Sequence, residues 1–309
     1  MDLSTDLLRP AILRVAHHPA VRGLVTGTTP GRAVASRFVA GETLSEAMDV
    51  AADLDRRRIA AMLDHLGENV ESPAQALQAR ASYLAAIEAL KQRDALDGAI
   101  SVKLTQLGLD RSVTDCWDNL APILEASLDA GRFVMIDMES HPYVDATLEV
   151  LRRGLAVTPS LGVCLQAYLK RTATDIFEIP TCRVRLVKGA YLEPPDMVYV
   201  DKDDVNAAFK RLFVTLLSRG HAIDVATHDP ALLDGVRRRV DAVGDGWSRV
   251  EFQMLYGVRR DLQATLAGKG YPVRVYIPYG TEWYPYLTRR MAERPANVWF
   301  FLSNLVRTG

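Results

Sequence analysis

From residue 42 onward, short runs of apolar and β-branched residues alternate with longer stretches whose apolar positions recur every three or four residues. The first pattern belongs to strands buried on both faces, the second to helices with one face on a core. Strands are expected at Ile59–Asp64, Ile100–Leu104, Phe133–Asp137, Gly162–Gln166, Arg183–Val187, Ala222–Ala226, Val250–Met254 and Val273–Ile277. The helices between them have legible ends. Ser72-Pro73-Ala74-Gln75 is a capping box with proline in the first helical position. Ser112–Ala130 is closed by Gly131, and Gly154 and Gly220 follow helices at Tyr143–Arg153 and Val205–Arg219, where a left-handed terminating residue is expected. Eight such units imply parallel strands joined by right-handed crossovers, which close most simply into a (βα)8 TIM-like barrel; an open doubly wound sheet satisfies the same alternation. Residues 1–41 read as a helical extension broken by Gly23, Gly27 and Gly31, and residues 42–309 as the barrel domain, opening on a helix at Glu42–Arg58. A helix at Glu282–Ala292 follows the last strand, and Asn297–Val306 fits helix or strand.

Composition narrows the function classes. In 309 residues, 37 Lys+Arg face 38 Asp+Glu and 49% are apolar, which excludes disorder and leaves no basic field for nucleic acid. Cys116, Cys164 and Cys182 are odd in number and far apart, so they read as buried small residues in a reducing cytoplasm, not as disulfides or a zinc cage. No basic leader precedes an apolar core, and no apolar run approaches the roughly 18 residues of a membrane span. A cytoplasmic protein is expected, with at most peripheral membrane contact.

Functional groups of such barrels gather where the strands end. His65, Lys103, Thr105, Asp137, Glu139, Gln166, Lys188, Thr227, His228, Gln253, Tyr256, Tyr276 and Tyr279 all fall at strand ends, so a functional rim is expected. On the terminal helix Tyr286, Arg289, Arg290 and Glu293 share one face. Two adjacent guanidiniums there suit a carboxylate or phosphate clamp. The same stripe is also what a solvated helix face looks like, with Glu293 as the internal partner. Lys188, followed by Gly189, can be read as a Schiff-base lysine, with the glycine permitting close ligand approach. Asp137 and Glu139, two apart, would point the same way and suit acid/base work or a metal, but no third ligand stands out. His17-His18 carries no signal beyond a surface helix, and His228 is equally a functional or a satisfied rim histidine. No GxGxxG follows a strand and no GxxxxGK[ST] occurs, so a Rossmann or P-loop nucleotide site has no support.

The segments Arg185-Leu186-Val187-Lys188-Gly189-Ala190-Tyr191, Glu251-Phe252-Gln253-Met254-Leu255-Tyr256-Gly257 and Tyr286-Leu287-Thr288-Arg289-Arg290-Met291-Ala292-Glu293 together resemble the FAD-dependent proline dehydrogenases. So do Leu63-Asp64-His65-Leu66-Gly67-Glu68, Ser101-Val102-Lys103-Leu104, Ile136-Asp137-Met138-Glu139 and Ala226-Thr227-His228. Seven motifs in register span residues 36–300, and the short length resembles the monofunctional bacterial enzymes. One departure is visible: Leu192 follows Tyr191 where some relatives, especially bifunctional ones, carry Trp.

The resemblance implies a distorted barrel whose last helix covers the mouth. Lys103, Arg289 and Arg290 would bind the L-proline carboxylate, with Tyr276, Tyr286, Tyr191 and Leu186 around the ring and Asp137 orienting Lys103 and Tyr276. FAD would contact Met138, Gln166, Arg185, Lys188, Gly189, Ala190, Thr227 and His228. Asp137 and Arg185 would be catalytic, Arg185 stabilising negative charge on the reduced flavin. The implied reaction is the first step of proline catabolism, oxidation of L-proline to Δ1-pyrroline-5-carboxylate. Electrons would pass to a membrane quinone at the cytoplasmic face of the inner membrane, and the product to a separate pyrroline-5-carboxylate dehydrogenase. The alternatives are a Schiff-base aldolase-type barrel using Lys188 and a non-catalytic barrel that binds flavin or an amino acid.

Overall fold

The apolar runs form eight parallel strands: β1 (Ala60–His65), β2 (Gly98–Val102), β3 (Val134–Ile136), β4 (Leu161–Gln166), β5 (Arg183–Val187), β6 (Ala222–Ala226), β7 (Val250–Leu255) and β8 (Val273–Tyr279). They hydrogen-bond in sequence order, and β8 returns to β1 through Ala60↔Arg274 to His65↔Tyr279, so the sheet closes into a barrel and the doubly wound alternative falls. The structure is a computed structural model and describes residues 35–243 and 246–293, excluding the side chains of residues 289 and 291–293. Gly23, Gly27, Gly31, His17-His18, most of the 1–41 extension, and Asn297–Val306 lie outside the described residues.

The described helices are α1 (Leu44–Asp55), α2 (Pro73–Lys91), α3 (Val113–Asp129), α4 (Val144–Leu155), α5 (Thr172–Glu178), α6 (Lys202–Ser218), α7 (Pro230–Asp241), α8 (Arg260–Gly268) and α9 (Trp283–Glu293). Their starts follow local chemistry. Thr43 with Glu46, and Ser72 with Gln75, form reciprocal capping boxes, satisfying N–H groups that have no partner within the helix. Gly131 and Gly220 end α3 and α6 in the left-handed region, as expected. Gly154 does not end α4. It lies inside the helix, and a Cβ there would sit 2.5 Å from Leu161 Cδ2, so its role is close packing of α4 on β4. β2 begins two residues earlier than its apolar run, at Gly98, which pairs with Ala61 of β1; glycine fits there because Leu90 of α2 and Leu96 occupy the space a side chain would need.

Alternation divides each strand between two environments. Outward residues such as Leu63, Ile100, Val134, Val163, Leu186 and Phe252 join the helices in one large apolar core, and Cys116, Cys164 and Cys182 are all buried, Cys164 facing inward beside Arg185. Inward residues are of two kinds. On the β1–β3 side Met62, Ala99, Phe133 and Met135 fill the interior. Across from them the interior is polar: Arg183 and Arg185 on β5, Asp224 on β6, Glu251 on β7 and Arg274 on β8 are charged, and Gln253 on β7 is a neutral amide between them. A second, small apolar cluster lies over the strand ends, where Ala35, Phe38, Val39 and Leu66 pack on Trp283, Tyr284, Tyr286 and Leu287 of α9.

Candidate active site

Asp137, just beyond β3, is the hub at the C-terminal end of the barrel. Its Oδ1 accepts from Ser101 Oγ at 2.7 Å and Arg185 Nη1 at 2.6 Å, and its Oδ2 from Tyr276 Oη at 2.7 Å and Lys103 Nζ at 3.1 Å. Burial alone would raise its pKa, but Lys103 and Arg185 outweigh that and hold the carboxyl at about 2. Lys103 is opposed by burial, yet Asp64, Tyr276 and Asp137 keep it charged well above the ordinary range. Its three ammonium hydrogens are all committed, to Asp64 Oδ1 at 2.7 Å, Asp137, and Tyr276 Oη at 3.1 Å. Burial raises Asp64, which is fully enclosed. Tyr276 is raised by burial and by Asp137 beside it, so its hydroxyl keeps its proton.

Above this network opens a cavity of about 620 Å³, the size of a small-molecule or cofactor site. Lys103, Asp137, Arg185 and Tyr276 line its floor; Met138, Gln166, Lys188, Gly189, Ala190, Tyr191, Thr227 and His228 line its walls; Tyr286 and Arg290 reach it from α9. The last helix therefore covers the mouth, and Arg290 lies 5.5 Å over the Tyr286 ring. The side chain expected at Arg289 is outside the described residues, so the paired clamp is visible only through Arg290.

Two wall residues are positioned by their neighbours. Asp229 caps α7 with Oδ1, bonded to Ala231 N at 3.0 Å, and holds Lys188 Nζ with Oδ2 at 2.8 Å. A Schiff-base lysine needs an uncharged amine in an apolar pocket; Lys188 is instead the ammonium of an ion pair. His228 Nε2 accepts from Leu255 N at 3.0 Å, which puts the ring proton on Nδ1. Gly189, at φ +121°, is needed for another reason than ligand approach: a Cβ there would lie 2.1 Å from the Tyr168 ring, which packs on this backbone.

Several expected rim residues are elsewhere. Leu186 does not line the cavity; since Arg185 points inward, its neighbour points outward, and it is fully buried under the helices. Leu255, inward by the same alternation from Gln253, lines the cavity in its place. Glu139 does not share the Asp137 site. It turns back to Thr105, accepting from its N at 3.0 Å and its Oγ1 at 2.5 Å, and burial lifts its pKa to about 7. The metal reading for the two acids lapses, and no cluster of metal-binding residues occurs among the described residues. His65 meets Tyr279 edge-to-face, 5.4 Å between ring centroids, and Arg260 lies 5.2 Å over the Tyr256 ring. Phe38, Asp64, Ser101 and Asp229 were not singled out by their types; Phe38 lines the cavity and the others brace it.

This site can anchor an anion beside buried cations and hold a larger group across the strand ends. The proline dehydrogenase family model matches residues 47–302. The chain belongs to the proline dehydrogenase family. It is 40% identical to a proline dehydrogenase of Deinococcus radiodurans over 98% of this chain and 99% of that one. It is 38% identical to proline dehydrogenase 1 of Bacillus subtilis over 88% and 91%. Among solved structures, proline utilization A of Bdellovibrio bacteriovorus, inactivated by N-propargylglycine, superposes with a TM-score of 0.78 at 24% identity. That match covers 84% of this chain and 32% of the longer one, so this proline dehydrogenase family member spans about a third of that protein and shares the fold of its barrel.

Proposed function

We propose that the chain oxidises L-proline to Δ1-pyrroline-5-carboxylate with FAD held in the mouth cavity. Family membership supports the substrate, and the single observation that supports the site is the convergence of Lys103, Asp137, Arg185, Tyr276 and Arg290 on one cavity under α9. The donors present fit the cofactor. A cavity of about 620 Å³ with a buried guanidinium at its floor, an ammonium, an imidazole and Gln166 along its walls, and few acids suits a polar ring system with a phosphate tail. Gln166, Arg185, Lys188, Thr227 and His228, with Met138, Gly189 and Ala190, would hold it. When bound, FAD supplies a two-electron acceptor for hydride.

The chain's own groups bind and orient the substrate. Arg290, with Arg289, would grip the proline carboxylate, and Lys103 would join by exchanging the Tyr276 hydroxyl, its one neutral partner. Asp137 holds Lys103 and Tyr276 in register throughout. Tyr276, Tyr286, Tyr191 and Leu255 would enclose the ring and exclude water. Arg185 remains cationic and stabilises negative charge formed at the mouth. Electrons would leave to a membrane quinone at a peripheral contact, and the product to a pyrroline-5-carboxylate dehydrogenase. No helix among the described residues is long and apolar enough to cross a membrane.

Anaerobic titration with L-proline tests the reading. The flavin band should bleach stoichiometrically, whereas a folded protein without that band after FAD supply, or a band that proline leaves unchanged, refutes it.

A further inference from the structure

Below the mouth, Gln253 has both ends of its amide engaged. Its Oε1 accepts from Arg185 Nε at 2.7 Å, while its Nε2 donates to Asp224 Oδ2 at 2.7 Å and Glu251 Oε1 at 2.8 Å. Turned over, the NH2 would face the guanidinium N–H and the carbonyl would face two carboxylates, with no bond on either side. One orientation is open. The carboxylates are themselves tied down: Arg183 Nη1 donates to Asp224 Oδ1 at 2.6 Å, and Arg274 Nε to Glu251 Oε1 at 2.8 Å.

Arg185 gains from this in two ways. Asp137 and Ser101 hold its Nη1, at 2.6 and 3.1 Å, with only the weak Met62 sulfur acceptor at Nη2 and the Tyr276 ring 5.1 Å away to oppose a pivot of the plane. The bond at Nε stops the pivot. Gln253 also transmits position without charge. A carboxylate in its place would cancel Arg185 directly; here the nearest acids on that side stand one neutral amide further away, and in a weakly screening interior that distance matters.

We propose that Gln253, locked by Asp224 and Glu251, is a positioning residue that fixes the Arg185 guanidinium and so sets the redox equilibrium of the flavin above it. This rests on the reading that FAD occupies the mouth cavity. The test is an equilibrium redox titration of the flavin-loaded protein against a reference dye, comparing wild type with Gln253→Met, which keeps the volume and removes the acceptor. Reduction of the bound flavin becomes about tenfold less favourable, about 30 mV for a two-electron couple, and kcat falls while KM for proline stays within about twofold. A folded Q253M with full flavin and the wild-type equilibrium overturns the proposal. Should Q253M not fold, Glu251→Gln and Asp224→Asn decide: each weakens an acceptor of the Gln253 amide and also removes a negative charge, which alone would favour reduction, so a shift of about threefold toward less favourable reduction supports the proposal, and no shift or a shift the other way overturns it. Wild-type protein that folds but takes up no flavin overturns the cofactor reading itself, and is distinguished by failing before any variant is made.

Discussion

Asp137→Asn removes one charge while keeping the shape of a residue with four donors aimed at it. Ser101 and Arg185 point at one oxygen, Lys103 and Tyr276 at the other, at 2.6 to 3.1 Å. An asparagine NH2 meets two donors whichever way it is turned, and two buried cations lose a shared counter-charge. Breaking a buried ion pair by removing one partner costs about 3–5 kcal/mol. That corresponds to a fall in Tm of about 6–20 °C for a domain approaching this size. The assay is thermal unfolding at neutral pH of D137N, Lys103→Met and the double variant. Because the residues share one network, the double variant should lose clearly less than the sum of the two, by about 0.5–3 kcal/mol. A D137N melting within about 2 °C of wild type, or strict additivity, refutes the claim that this carboxylate holds the floor together.

Arg290→Met should raise KM for proline at least about thirtyfold, the loss of a buried charge partner, with flavin content unchanged; an unaltered KM removes it from the clamp. Glu139 and Asp224 are lifted by burial to about 7 and about 6, Asp224 also by Glu251. Both bind protons more tightly folded than unfolded, so the stability they contribute is full below about pH 4 and is lost as pH rises toward 7. Denaturant titrations across that range should show the decline, and it should flatten in Glu139→Gln. At Gly257, φ +75°, a Cβ would lie 1.7 Å from the Arg37 carbonyl. Gly257→Ala should displace residues 35–39 from the mouth and speed proteolytic cleavage there without a matching fall in Tm.

The alternation of apolar runs and helical stretches carried the barrel, because period and capping are local properties. What it did not convey was which residues share a cavity. Leu186 and Leu255 show why: both lie at strand ends beside recognisable motifs, and only their parity relative to Arg185 and Gln253 separates the core from the site. That parity was readable. So was the charged interior, since Arg183-Val184-Arg185, Glu251-Phe252-Gln253 and Arg274-Val275-Tyr276 alternate inside otherwise apolar strands, against the usual expectation of apolar barrel layers. Glu139 does not point with Asp137 because β3 stops at Ile136, beyond which residue spacing no longer follows strand geometry. Gly154 looked like a terminator because sequence does not reveal Leu161 pressing against it.

The cluster of Phe38, Val39, Leu66, Trp283 and Leu287 stands apart from the main core. Held by so few buried residues, it should open at a lower free energy than the barrel beneath. Amide exchange should therefore show two tiers, with α9 and residues 35–39 opening together while β1 to β8 remain closed. If so, the barrel would supply permanence and this roof exchange, and passage into the cavity would follow a handful of aromatic contacts and not global unfolding.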